Sequence, residues 1–293
     1  MANLKETRSR IVSIKSTMQI TSAMKMVSAA KLKRAQDAIT QMRPYAEKMQ
    51  EILSNVSGGS DDIEGGTFSK VRPVKNVLII AVTSNRGLCG GFNSSIAKHI
   101  VTLLKGEYAE LNATGNVAIL CVGKKAGDFF KGRGIPVAAI KSEIFNALNF
   151  QNASAIAEEI MADFASGKYD EVKLVYNTFK NAATQVVKTE AFLPIQPSTL
   201  NAGKASNKDY IFEPDKKEIL VNMIPKSLKT QFYKALLDSM AGEHGARMTS
   251  MHKATDNAKQ MAKDLTLQYN KARQAAITNE ILEIVGGAEA LKN

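Results

Sequence analysis

A strict alternation of three and four residues started at Ile11 falls on Ile11, Ile14, Met18, Thr21, Lys25, Ser28, Leu32, Ala35, Ile39, Met42, Ala46, Met49, Leu53 and Val56. Eleven of these fourteen positions are apolar, which is the seam of a coiled-coil helix. It lapses only at Thr21, Lys25 and Ser28, where Met24, Met26 and Val27 are displaced to other faces. A second seam runs through Leu228, Phe232, Leu236 and Met240, then Met251, Ala254, Ala258, Met261, Leu265, Ala272 and Ala276. Its small residues let two helix backbones approach closely. At about 1.5 Å per residue the two helices would be on the order of 80 and 90 Å long, too long for a compact domain. One enters the middle of the chain and the other leaves it. They either pair antiparallel as a rod or each pairs with a copy of itself, and the pattern leaves both open.

Glycine and proline divide the chain further. Residues 1–57 hold no Gly and only Pro44, and residues 226–285 hold no Pro and two Gly. Nearly all the breakers lie between, beginning with a polar, Gly-rich stretch at 57–66 that reads as a linker. The expected division is an N-terminal helix over 1–56, a linker over 57–73, a globular domain over 74–200, a loop segment over 201–225 and a C-terminal helix over 226–293. Within the middle zone, strands are expected at 74–83, 116–122, 136–140, 171–179 and 184–195, and helices at 93–108, 124–131 and 153–166. The last two strands, separated by the polar residues 180–183, form a hairpin. Such alternation specifies an α/β domain with a mainly parallel sheet and one antiparallel edge.

Composition adds charge and removes several classes of chemistry. The 293 residues carry 39 Lys and Arg against 28 Asp and Glu, so a partner presenting negative charge is attracted. The longest apolar runs, at 77–82 and 117–122, fall far short of the roughly 20 residues that span a bilayer. Residues 1–10 are basic enough to resemble a mitochondrial presequence, but the helical pattern continues past residue 50 and reads as mature structure. Cys89 and Cys121, with His99, His244 and His252, show no metal-ligand spacing. A reducing compartment follows from that cysteine usage.

The stretch Ser84-Asn-Arg-Gly-Leu-Cys-Gly-Gly-Phe-Asn93 joins the first strand to the first helix of the middle zone, where phosphate-binding loops sit. Gly87, Gly90 and Gly91 do not make the dinucleotide spacing, and no Gly-Lys-Ser/Thr follows to reach a phosphate and magnesium. A structural turn is the expectation. Cys89 sits near a helix start, which lowers a thiol pKa, but His99 is too far along that helix to activate it. Cys121 reads as core, and His244 and His252 as solvated surface. The first 34 residues hold eight Lys or Arg and one acid, Glu6. That segment could serve nucleic acid, but it has no aromatic residue for base stacking, and the chain has no Trp. A nucleotide-dependent enzyme and a basic coiled-coil adaptor for nucleic acid both stay open on the pattern alone.

The order of the blocks Met-Ala-Asn-Leu-Lys-Glu-Thr-Arg-Ser-Arg-Ile11, Ile20-Thr-Ser-Ala-Met-Lys-Met-Val-Ser-Ala-Ala-Lys-Leu-Lys33, Arg43-Pro-Tyr-Ala46, Arg86-Gly-Leu-Cys-Gly-Gly-Phe-Asn93, Tyr210-Ile-Phe-Glu-Pro-Asp215, Ala254-Thr-Asp-Asn-Ala258 and 269–291 resembles the gamma chains of F-type ATP synthases from end to end. The resemblance implies an α/β fold with a long antiparallel two-helix coiled coil formed by the terminal helices. It implies a non-catalytic rotary central stalk that couples proton-driven c-ring rotation to the catalytic sites of the beta subunits. The partners implied are three alpha and three beta subunits around the rod, the epsilon subunit and the c-ring, with no nucleic acid, no cofactor and no direct nucleotide binding. A peripheral place on the cytoplasmic face of a bacterial inner membrane goes with it.

Residue by residue, the resemblance makes Arg273 and Gln274 the pair that hydrogen-bonds a beta-subunit loop, with Thr278 one turn beyond and Arg247 as a further such contact. Ile277, Ile281, Leu282, Ile284 and Val285 resemble the apolar tip that turns in a sleeve at the top of the ring. Tyr210, Phe212 and Glu213 match the loop that meets the c-ring. Two departures stand out. Asn85 replaces the common Asp before Arg-Gly, and Gly242 and Gly245 interrupt the C-terminal helix at about 1 kcal/mol each relative to Ala. The glycines imply local flexibility there.

Overall fold

The computed structural model describes residues 4–57, 67–195 and 216–290. Two helices dominate, α1 (Leu4–Ser57) and α6 (Lys216–Ala290). The second starts earlier than its sequence pattern indicated and contains Pro225. Burial of Ile224 and Leu228 beside that proline stabilises the helix across the missing amide hydrogen bond. The chain forms two compact units, one of Met1–Ser28 with Met248–Asn293 and the other of Ala29–Arg247.

In the first unit the two helix segments pack against each other within one chain. The Thr255 hydroxyl donates to Thr21 Oγ1 at 2.9 Å, and Lys15 lies beside Ala262 and Thr266, so the pair is antiparallel. Every position of the α1 seam from Ile11 to Ser28 is at least half-buried, including the polar ones. Their hydroxyls are satisfied locally: Thr21 Oγ1 donates to Met18 O and Ser28 Oγ to Met24 O. Met26 and Val27 face outward. On α6 the seam differs from the expected one: Met261 is 55% exposed and Ala262 is buried, Thr255 is half-buried alongside Ala254, and Tyr269 joins the seam. Burial follows Met251, Thr255, Ala258, Ala262, Leu265, Tyr269, Ala272 and Ala276, a regular alternation of four and three. At the close approach an alanine fits where a methionine would hold the backbones apart.

The second unit is a three-layer α/β arrangement. Its sheet runs β3 (Ala139–Ile140), β2 (Val117–Val122), β1 (Val77–Val82), β4 (Glu171–Phe179), β5 (Gln185–Leu193), parallel except for the β4–β5 hairpin. All of β1 is buried, as expected of a strand covered on both faces. Leu78, Ile80 and Val82 pack with α5 (Phe150–Ala165), with Met49 and Leu53 of α1 and with Phe232 and Leu236 of α6. Val77, Ile79 and Ala81 face α2 (Phe92–Lys105) and α4 (Lys124–Lys131). The helix expected over 93–108 ends at Gly106 and resumes as α3 (Ala109–Ala113).

Gly242 and Gly245 are buried, which corrects the expectation of flexibility. A Cβ on Gly242 would stand 3.3 Å from both Gln185 Cγ and Phe92 Cε2. One on Gly245 would stand 3.1 Å from Ala182 Cα and 3.3 Å from Ala182 O. Contact with the β4–β5 hairpin, rather than loose helix, accounts for both glycines.

Candidate functional site

The glycine-rich segment connects β1 to α2 and is bonded almost entirely to its own chain. Ser84 N donates to Asn93 Oδ1 at 2.9 Å, Ser84 Oγ to Arg86 O at 2.6 Å, and Asn93 Nδ2 to Ser84 Oγ at 2.8 Å. Phe92 N, at the start of α2, donates back to Cys89 O. Leu88 and Gly90 both have positive φ, 63° and 58°. Such a conformation in a leucine persists only where its surroundings enforce it.

Arg247 supplies much of that enforcement. Its Nη2 donates to Arg86 O at 3.0 Å, its Nε to Gly87 O at 3.3 Å, and its Nη1 to Glu243 Oε1 at 2.6 Å. The residue is 7% exposed, so the guanidinium expected to reach a beta subunit is engaged inside this chain. Asn85 Nδ2 donates to Ser142 O at 2.8 Å while its Oδ1 accepts from Lys124 N. An aspartate there could accept from Lys124 but could not donate to Ser142. Sequence reasoning missed both roles, because each bond joins residues far apart in the chain.

The cysteines and histidines offer no catalytic arrangement. Burial pushes the Cys89 thiol up, against the opposing pull of Ser84 and Arg247, and carries Cys121 to about 12. Neither is poised as a thiolate. His244, expected at the solvated surface, is half-buried, and burial with the adjacent Arg247 and Lys31 charges takes its pKa down to about 4. It is therefore a neutral ring whose Nδ1 lies 3.4 Å from Arg247 Nη1. His99 Nε2 meets Thr189 Oγ1 at 2.8 Å, and His252 is exposed beside Asp256. Among the described residues no group of three or more His, Cys, Asp and Glu could hold a metal ion.

Toward its C-terminal end α6 runs past the described residues of α1. The register that pairs Thr21 with Thr255 brings Leu4 opposite the last half-buried seam positions, Ala272 and Ala276. From residue 277 to 288 every side chain is exposed. Ile277, Ile281, Leu282, Ile284 and Val285 are thus a cluster of unburied large apolar side chains on one two-turn stretch. Arg273, Gln274 and Thr278 lie just before or among them, all exposed, with Thr278 Oγ1 bonded to Gln274 O. The arrangement can present hydrogen-bonding groups beside an apolar surface, and it has no catalytic constellation. Tyr210, Phe212 and Glu213 lie outside the described residues.

A family model described as ATP synthase matches residues 3–291. The ATP synthase gamma chain of Flavobacterium psychrophilum is 57% identical over 292 residues, covering 100% of both chains. That of Christiangramia forsetii is 58% identical over 291 residues, covering 99% of each. The chain belongs to the ATP synthase gamma-chain family. Its fold is similar to a chain of the central stalk and c-ring structure of the Tetrahymena thermophila mitochondrial ATP synthase, with TM-score 0.58, 30% identity and coverage of 80% of this chain and 99% of that one. A chain of the Euglena gracilis mitochondrial enzyme aligns with TM-score 0.72 and 22% identity, over 98% of this chain and 94% of that one, a likeness of fold. Gamma chains are subunits of an enzyme complex. None of these matches supports a nucleic-acid adaptor. Among the described residues no helix is long and apolar enough to cross a membrane.

Proposed function

We propose that this chain is the non-catalytic rotary shaft of an F-type ATP synthase, attached peripherally to the cytoplasmic face of a bacterial membrane. The observation that carries the reading is the end-to-end match to gamma chains, residues 3–291, at 57–58% identity to curated relatives. Proton flow turns a c-ring and this chain with it, and the chain forces three beta-subunit catalytic sites through different affinities in turn. One asymmetric rod inside a nearly threefold ring of alpha and beta subunits must bias the three sites differently, because an effector bound equally by all states shifts nothing. Arg273, Gln274 and Thr278 are the polar contacts to a beta-subunit loop. Ile277, Ile281, Leu282, Ile284 and Val285 turn in the apolar sleeve of the ring. Tyr210, Phe212 and Glu213 meet the c-ring beside the epsilon subunit. The unburied state of the α6 end supports the first two assignments, since such a surface calls for a cover.

The test is a disulfide. Gln274→Cys, paired with a cysteine on the facing beta loop, joins shaft to ring, while paired cysteines across the α1–α6 seam with Cα atoms within about 7 Å join the shaft to itself. Oxidation of the shaft-to-ring pair abolishes ATP hydrolysis and reduction restores it; the enzyme with the pair inside the shaft stays active when oxidised. Full turnover by the oxidised shaft-to-ring variant, with the cross-link verified on a gel, makes the chain a static scaffold.

A further inference from the structure

Between Gly242 and Arg247, α6 is gripped from several sides by segments distant in sequence. Arg247 holds the carbonyls of Arg86 and Gly87. Phe92, the first residue of α2, and Gln185, the first of β5, bracket the space where a Gly242 side chain would be. The hairpin tip rests on Gly245 through the backbone of Ala182. That tip is itself braced: Gln185 Nε2 donates to Asn181 O and Ala182 O, and Asn181 Oδ1 accepts from Ala183 N and Thr184 N. Asn177 Nδ2 ties β4 to Phe92 O at 3.0 Å, completing the link from hairpin to α2. A braced tip seated against glycine backbone has little room to slide or rotate, because interiors packed at contact distance deform poorly.

We infer that this stretch is a mechanical clasp: Gly242, Gly245 and Gln185, with Arg247, are positioning residues that fix the sheet domain to the 242–247 stretch of α6. The inference rests on the rotary reading above. From the clasp α6 continues without a break to Ala290. Torque applied to the sheet domain reaches this stretch of the helix through these contacts, in addition to the core packing of Leu228, Phe232 and Leu236 lower on α6. A glycine weakens a free helix, so two of them here are explained by what they admit: the side chains of Gln185 and Phe92 at Gly242, and the backbone of Ala182 at Gly245, where a larger side chain would push the hairpin tip away.

The experiment uses the assembled enzyme with its alpha and beta ring immobilised and a bead attached through Glu110→Cys on α3. Cys89 and Cys121 are buried, so the new thiol is the exposed one of this chain, and the bead is coupled to the isolated chain before assembly. The readout is the angular variance of the bead during catalytic pauses, together with the unloaded ATP hydrolysis rate. Gly245→Val raises the variance about twofold, as halving the stiffness of the joint requires, with hydrolysis changed less than about twofold. If Gly245→Val fails to assemble, Gln185→Ala decides, since it removes only the brace and the contact on Gly242 and raises the variance in the same direction. Wild-type variance in an assembled, rotating Gly245→Val or Gln185→Ala enzyme overturns the clasp. A bead that never rotates on the unmodified complex overturns the rotary reading instead.

Discussion

Replacing Arg247 by Gln leaves Glu243 without the partner that lies 2.6 Å away, both side chains being almost fully buried. Breaking such a pair costs about 3 kcal/mol, and Lys recovers little of it because one ammonium nitrogen cannot reach acceptors that Nε, Nη1 and Nη2 meet from separate positions. Denaturant unfolding of the full chain checks both variants, and unchanged midpoints would rule the clamp out. Asp238 behaves oppositely. It is buried beside a cleft of about 210 Å3 lined also by Arg43 and Lys234. Burial raises its pKa, with Glu190 acting in the same direction, against the pull of Lys234 and Arg43. The folded chain therefore holds this proton more tightly than the unfolded one, and stability is lost as pH rises through the folded pKa. Asp238→Asn should raise the melting temperature at neutral pH, and the gain should vanish below about pH 4, where the carboxyl is protonated in both states. A melting-temperature difference independent of pH would show that the charge is not the cause. Local sequence pattern shows neither effect, since one depends on carbonyls 160 residues from Arg247 and the other on the burial of Asp238.

At the scale of elements, the three-four alternation on α1 continues through Thr21, Lys25 and Ser28, because a helix is a rigid periodic object and its neighbours in the seam are apolar. On α6 the larger apolar side chain, Met261, points to solvent while the small Ala262 fills the seam. Ala262→Arg should therefore cost about 2 kcal/mol or more by forcing the helices of the first unit apart, while Met261→Arg should change stability by less than about 0.5 kcal/mol. Hydrogen exchange at α1 amides near Ile14, which sits in the facing seam, separates the two. Equal protection in both variants would refute the register. The strands of the sheet were located closely because buried parallel strands are short continuous apolar runs, and the edge strand β3 shrank to two residues because little pairs with it.

For the whole molecule, calorimetry of the purified chain with magnesium and ATP should show no binding at the loop between β1 and α2, whose polar groups are bonded to Arg247, Ser84 and Asn93 and which contains no phosphate-binding lysine. Micromolar, magnesium-dependent binding that Arg86→Ala abolishes would contradict this. The sequence by itself determined the two long helices, the parallel α/β middle and the family, since periodicity, breaker placement and block order are properties of local sequence. It also marked Ile277, Ile281, Leu282, Ile284 and Val285 as apolar, but in isolation such a run reads as core. Only the tertiary structure decided that they are uncovered, that the helices pair within one chain, that Arg247 serves its own loop and that Gly242 and Gly245 are contacts rather than hinges. Each of these depends on which distant segment lies within a few ångströms, a distance that no local pattern encodes.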